Sequence, residues 1–178
     1  MAIQKLYIRE VANIMEVMTS KMENLLFVKR LHDSAILPTK GSEYAAGLDL
    51  YANNYNGGVD ADKSEWGLQI NPNETVKIGT GIAVEIPNGY FGGIYARSGL
   101  ATKQGLAPAN KVGIVDSDYR GEVIVALHNS SSIPQIIHKN DRIAQLIIQP
   151  FTAMRPEVIE DLSNTTRGEG GFGSSGKN

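Results

Sequence analysis

Cysteine is absent from the 178 residues. Disulfides, thiolate zinc sites and a cysteine nucleophile are thereby excluded together. No apolar run approaches the roughly 18 residues that a bilayer-spanning helix needs. Neither sign of charge dominates. The 17 basic and 19 acidic residues leave a net charge of −2, too balanced for a broad nucleic-acid-binding face. The three histidines (His32, His128, His138) lack the short spacing of a helical metal site and read as surface or half-buried side chains. Glycine is missing from the first 40 residues and again between Glu122 and Arg167. The 19 glycines are therefore concentrated elsewhere. What remains is 42% hydrophobic, enough for a packed core, and long enough for one domain with an appendage.

The chain divides into three by pattern. In residues 1–21 and just beyond, Tyr7, Val11, Ile14, Met15, Met18 and Met22 recur at helical steps, predicting an N-terminal extension that is helical. Its acidic residues argue against a matrix-targeting peptide, and the expected location is cytoplasmic. Residues 22–164 read as strands. Along Val76–Ile86 the even positions are apolar apart from Thr80, a period of two that predicts a half-buried strand. Leu25–Val28, Phe91–Ala96, Glu122–Leu127, Ile133–His138 and Ile143–Gln149 are further strand candidates, each bounded by turn residues. Short strands at this spacing predict an all-β sandwich or barrel. One short helix is expected, with Ser98 as N-cap, ending at Gly105. Residues 53–66 are polar and predict a surface loop. Its Asp60 and Asp62 lack the remainder of a calcium loop. The sequons at Asn73, Asn129 and Asn164 carry little meaning without a signal peptide. Residues 165–178 form a glycine-rich arm that no apolar pattern holds to a core, and it is expected to move.

Gly171 to Asn178 nearly spells a phosphate loop, but Asn178 stands where a magnesium-binding hydroxyl belongs, and no helix follows. A glycine-rich arm can still offer backbone N–H groups to an anion by closing over it.

Five segments carry a sharper signal. They are Ala45–Ala52 (AAGLDLYA), Ala96–Ala101 (ARSGLA), Gly113–Gly121 (GIVDSDYRG), Arg142–Leu146 (RIAQL) and Arg167–Gly176 (RGEGGFGSSG). In this order and spacing the chain resembles the trimeric dUTP pyrophosphatase (dUTPase) family, from about Leu25 to the C-terminus. The departures are mild: Ala96 for the usual Pro, Val115 for Ile, Ser175 for Thr, and a longer 53–66 loop.

The resemblance implies a jelly-roll, β-barrel-like subunit in a homotrimer with active sites at subunit interfaces. It implies hydrolysis of dUTP to dUMP and pyrophosphate, with Mg2+ held mainly by the nucleotide and waters. Carried residue by residue, it puts the catalytic base at Asp116, with Asp49 and Gln145 beside the metal's water shell or in an interface charge network. Arg97, Ser98 and Gly99 are expected on phosphate oxygens. Arg142 is either a phosphate-side donor or half of a structural ion pair. Tyr119 is expected to pack on deoxyribose, where a ribose 2′-hydroxyl would clash. Uracil is expected along Leu106 to Gly113, with Asn110 the one side chain on the base. Phe172 is expected to stack on uracil as the arm closes. Arg167 would then reach the γ-phosphate, and Gly173, Ser174 and Ser175 would add donors. A deoxycytidine triphosphate deaminase on the same fold is the nearest rival, but typically carries Trp where Tyr119 stands. A silent scaffold would have lost Asp116, Gln145 or the arm.

Overall fold

A computed structural model describes residues 25–55 and 67–171. The helical reading of residues 1–21, the bulk of the 53–66 loop, and Phe172, Gly173, Ser174 and Ser175 lie outside the described residues.

Thirteen strands and one helix are described: β1 Phe27–Arg30, β2 Thr39–Lys40, β3 Leu48–Tyr51, β4 Asn54–Tyr55, β5 Gly67–Ile70, β6 Thr75–Gly79, β7 Ile82–Glu85, β8 Tyr90–Tyr95, α1 Ser98–Gln104, β9 Leu106–Pro108, β10 Gly113–Val115, β11 Ile124–Asn129, β12 Gln135–His138 and β13 Arg142–Pro150. They form a five-stranded sheet (β10-β8-β13-β3-β2), a four-stranded sheet (β4-β6-β11-β9) and two ribbons (β1-β7 and β12-β5). Every pairing is antiparallel. One core fills the space between them. Leu50, Ile94 and Leu146 come from the larger sheet, Ile78, Leu106 and Leu127 from the smaller, and Ile82, Ile70 and Ile137 from the ribbons. This is the expected all-β, jelly-roll-like architecture.

The alternation at 76–86 holds in burial only near its ends, where Lys77 and Glu85 are exposed; Gly79, Gly81 and Ala83 are buried like their neighbours, and the stretch is not one strand. Val76, Ile78, Thr80, Ile82, Val84 and Ile86 are all buried. The chain nevertheless leaves the four-stranded sheet after Gly79 and enters the β1-β7 ribbon at Ile82. Gly81 makes that corner. Its φ is +70°, and a Cβ there would lie 2.6 Å from Asn53 Oδ1, so a side chain is disfavoured twice. Thr80 is buried without penalty because its hydroxyl donates to Val123 O at 2.7 Å, the same carbonyl that its backbone N–H meets at 3.1 Å.

Two expectations need correction. Asn53 and Asn54 are buried, not surface loop, and Asn54–Tyr55 pairs with β6. Polar character misled here because Asn54 Nδ2 is satisfied inside, donating to Glu122 Oε1 at 2.8 Å. The N-cap of α1 is Arg97, extended at φ −83° and ψ 130°, and Ser98 is the first helical residue. The helix ends as expected, on Gly105 at φ 69°.

The sequon residue Asn129 has a structural reason. It is fully buried, its amide donates to Ile70 O and Ile133 O at 2.9 Å each, and its Oδ1 accepts from Ser131. Among the described residues no helix is long and apolar enough to cross a membrane.

Candidate active site

The expected site residues fall into two groups. The first sits on β3, β13 and the end of β8. Antiparallel pairing sets Asp49 opposite Gln145, and Gln145 opposite Tyr95. Side chains alternate faces along a strand. Leu48, Leu50 and Leu146 therefore turn to the core side, while Asp49 and Gln145 share the outer face.

A bulge completes this group. Arg142 pairs with Tyr51 and Ala144 with Leu50, which leaves Ile143 as the extra residue. Ile143 and Ala144 are both fully buried. The extra residue turns Arg142 onto Asp49's face, which strict alternation would have given to Ile143. Arg97 Nε then reaches Asp49 Oδ1 at 2.9 Å, and Arg142 Nη1 reaches Oδ2 at 3.1 Å. Arg97 Nη1 also donates to Arg142 O at 3.1 Å. Asp49 is only 8% exposed beneath these guanidinium groups. Gln145 donates to Ala96 O at 2.9 Å, in the segment that leads into Arg97 and α1. A Cβ on Gly47 would lie 2.6 Å from Gln145 Oε1, so the absence of a side chain there makes room for the amide. Ser98 and Gly99 are exposed in the first turn of α1, where backbone N–H groups have no intrahelical partner. Arg142 thus forms an ion pair with Asp49, as Arg97 does.

The second group surrounds a cavity of about 190 Å³ lined by Asn110, Gly113, Asp116, Tyr119, Glu122 and Ile94, among others. β10 pairs with β8, setting Gly113 against Ile94. Past Val115 the chain turns at Ser117–Asp118, closed by Tyr119 N–H donating to Asp116 O at 3.1 Å. Asp118 is thus the turn residue and Asp116 stands exposed at the rim. Arg120 Nη1 donates to Ser117 O at 2.6 Å and Tyr119 O at 2.9 Å, fastening the turn. Tyr119 Oη donates to Glu122 O at 3.0 Å. An adjoining cavity of about 220 Å³ shares Ile94, Asn110 and Gly113 and runs along Pro108. Pro108, Asn110 and Gly113 therefore edge a concave surface.

The two groups are not brought together within one chain. Ile94, in the second cavity, and Tyr95, opposite Gln145, are consecutive on β8 and face opposite sides of the sheet. Arg167 joins neither among the described contacts. Its Nε donates to Gly170 O at 2.6 Å in a local turn. The motif reading stopped at Gly121 and missed Glu122 and Asn54. The available signal was an acidic residue placed directly before the buried Val123.

Guanidinium and amide donors on one face, with a carboxylate beside an aromatic ring on the other, define a protein suited to a phosphorylated, ring-bearing small molecule. The sequence pattern of the dUTPase family matches residues 33–176, and the chain belongs to that family. It is 45% identical over 153 residues to the deoxyuridine 5'-triphosphate nucleotidohydrolase of Hydrogenobaculum sp. (strain Y04AAS1), covering 85% of this chain and 97% of that one. The protein of the same name from Paramecium bursaria Chlorella virus 1 is 40% identical over 151 residues, covering 85% and 97%. Among solved structures, the Staphylococcus bacteriophage 80alpha dUTPase with dUPNHPP superposes at a TM-score of 0.71 with 28% identity, covering 86% of this chain and 99% of that one.

Proposed function

We propose that this chain is a dUTP diphosphatase, hydrolysing dUTP to dUMP and pyrophosphate by attack of water at the α-phosphorus. Such an enzyme supplies dUMP for dTTP synthesis and keeps uracil out of DNA. The observation that carries the reading is Asp116 at the rim of the Tyr119–Asn110 cavity, in a chain that matches the dUTPase family across residues 33–176.

In this reading the Asp116 carboxylate orients the attacking water and takes its proton. Arg97, Ser98, Gly99 and Gln145 receive phosphate oxygens, with Arg97 braced by Asp49. Tyr119 walls the deoxyribose, and Asn110 and Gly113 meet uracil through the edge of the β9–β10 segment. Backbone pairing there rejects cytosine, whose amino group reverses a donor and an acceptor. The arm from residue 165 closes last. Arg167, Phe172, Gly173, Ser174 and Ser175 add charge, stacking and donors while excluding water.

The residues fit a Mg2+ ion carried by the substrate. Both Asp49 oxygens are engaged by arginines, so this carboxylate is placed to meet the ion's waters and not the bare ion. Asp49 and Gln145 would then flank the ion's water shell. When bound, the ion offsets triphosphate charge.

The site is completed in a homotrimer. Support comes from the two residue groups standing on opposite faces of one sheet, and from residues 151–162. That stretch runs out from β13 with Phe151, Met154, Val158, Ile159 and Leu162 exposed, Val158 at 99%. Such side chains call for a second copy to cover them. A cavity of about 930 Å³ lined by Leu26, Val28, Leu37, Leu146 and Ile148 offers further uncovered apolar surface.

Pyrophosphate release from dUTP, UTP, dCTP and dTTP, measured in parallel, tests the activity. Strong preference for dUTP is expected. Preference for dCTP with ammonia released would move the chain to the deaminase reaction.

A further inference from the structure

Tyr119 is 44% exposed, so packing alone does not fix its ring. Its hydroxyl is held at 3.0 Å by the backbone carbonyl of Glu122. That carbonyl is anchored in turn by its own side chain. Glu122 Oε1 accepts from Asn54 Nδ2 at 2.8 Å and from Gly81 N–H at 2.7 Å. Asn54 is buried and belongs to β4, in a different sheet from the nucleotide cavity's β8 and β10. Gly81 is the corner where β6 hands over to β7.

Two glycines keep this arrangement possible. A Cβ on Gly121 would collide with the Tyr119 hydroxyl and lie 2.6 Å from its Cζ. One on Gly79 would collide with Asn54 Oδ1 and Glu122 Oε1. The Tyr119 ring is therefore set from the far sheet through a carboxylate that accepts two donors, each bond shorter than 3 Å.

We propose that Glu122 is a positioning residue for Tyr119 and that Asn54 acts through it, so that discrimination against ribose depends on two side chains that need not touch the sugar. A ring swinging on a loosened turn no longer excludes a 2′-hydroxyl sharply, because exclusion requires the wall to stay in place. The inference rests on the reading of Tyr119 as the sugar wall.

The test is kcat/KM for dUTP and for UTP, in parallel, on the full chain and on Tyr119→Ala, Glu122→Ala, Glu122→Gln and Asn54→Ala. Tyr119→Ala is expected to lower the dUTP/UTP preference most. Glu122→Ala and Asn54→Ala are expected to lower it about three- to tenfold, the net scale of one ordinary hydrogen bond. Glu122→Gln keeps an acceptor at Oε1 and is expected to keep most of the preference. If Glu122→Ala does not fold, Asn54→Ala carries the test, since it leaves the carboxylate and the Gly81 contact in place. An unchanged preference in a folded Glu122→Ala overturns the role of Glu122, and an unchanged preference in Asn54→Ala overturns the proposed tie through Asn54, in both cases leaving the sugar wall standing. A Glu122→Gln as impaired as Glu122→Ala makes the effect one of charge and also overturns it. An unchanged preference in Tyr119→Ala removes the sugar wall and this inference with it.

Discussion

The two halves of the site are built on different physical terms. On the outer face of the five-stranded sheet, Asp49 is clamped between Arg97 and Arg142, so that half is ordered by charge. Around Asp116 and Tyr119, order comes from a turn whose charged side chains, Arg120 and Glu122, bond to backbone and amide groups, and from missing side chains. The difference suits the two tasks. Phosphate oxygens are met by cations that must be held apart and aimed before the substrate arrives. A sugar and a base are met by shape, which a well-fastened turn fixes.

The sharpest break in this comparison is at Asp116. Asp116→Asn is expected to cut turnover by on the order of 10² to 10⁴ while nucleotide still binds. Pyrophosphate release together with equilibrium binding of a non-hydrolysable dUTP analogue checks it. Lost binding with normal turnover per bound substrate would remove the general-base role. Next in size is the arm. Ending the chain at Thr165 is expected to slow hydrolysis by roughly 10- to 100-fold with no change in melting temperature. Full activity in that truncation would show that neither half needs a lid.

Much of this was legible in sequence, for reasons particular residues make clear. The alternation at Val76–Ile86 picked out even positions that are all buried, but Gly79, Gly81 and Ala83 between them are buried too, because the stretch passes from one sheet to another instead of lying half-exposed on one. It could not show the change of sheet, because Thr80 keeps the period while the φ of Gly81 breaks the strand. Two-residue strands such as β2 and β4 are too short to carry a period at all. Asn53 and Asn54 read as loop because a polar residue's burial depends on partners distant in sequence, here Ser34 and Glu122. In the candidate site, the motif residues located both halves. The bulge at Ile143 that aims Arg142, and the tie from Asn54 to Tyr119, are products of register and tertiary contact and leave no local mark.

A smaller effect tests whether the halves meet across chains. Arg97→Ala and Asp116→Asn damage different halves, and each is expected to be nearly inactive alone. If a working site takes Arg97 from one copy and Asp116 from another, refolding the two variants together in equal amounts is expected to restore roughly one quarter of the sites. Two affinity tags on the two variants verify mixed assembly. Mixed assemblies without activity would mean that each copy supplies both halves of its own site.

The smallest effect separates charge that organises from charge that decorates. Asp49 is largely covered and meets two guanidinium groups, whereas the Glu85–Arg120 pair, at 3.8 Å, joins side chains 60% and 53% exposed. Removing Asp49 strips Arg97 of its carboxylate partner and leaves that partly covered guanidinium short of an acceptor. Asp49→Ala is therefore expected to lower stability by about 1–3 kcal/mol in chemical denaturation. Glu85→Ala is expected to change it by less than about 0.5 kcal/mol, since solvent already screens that pair. Equal losses from the two substitutions would mean that the arginine clamp is no better organised than any surface pair, and the contrast between the two halves would dissolve.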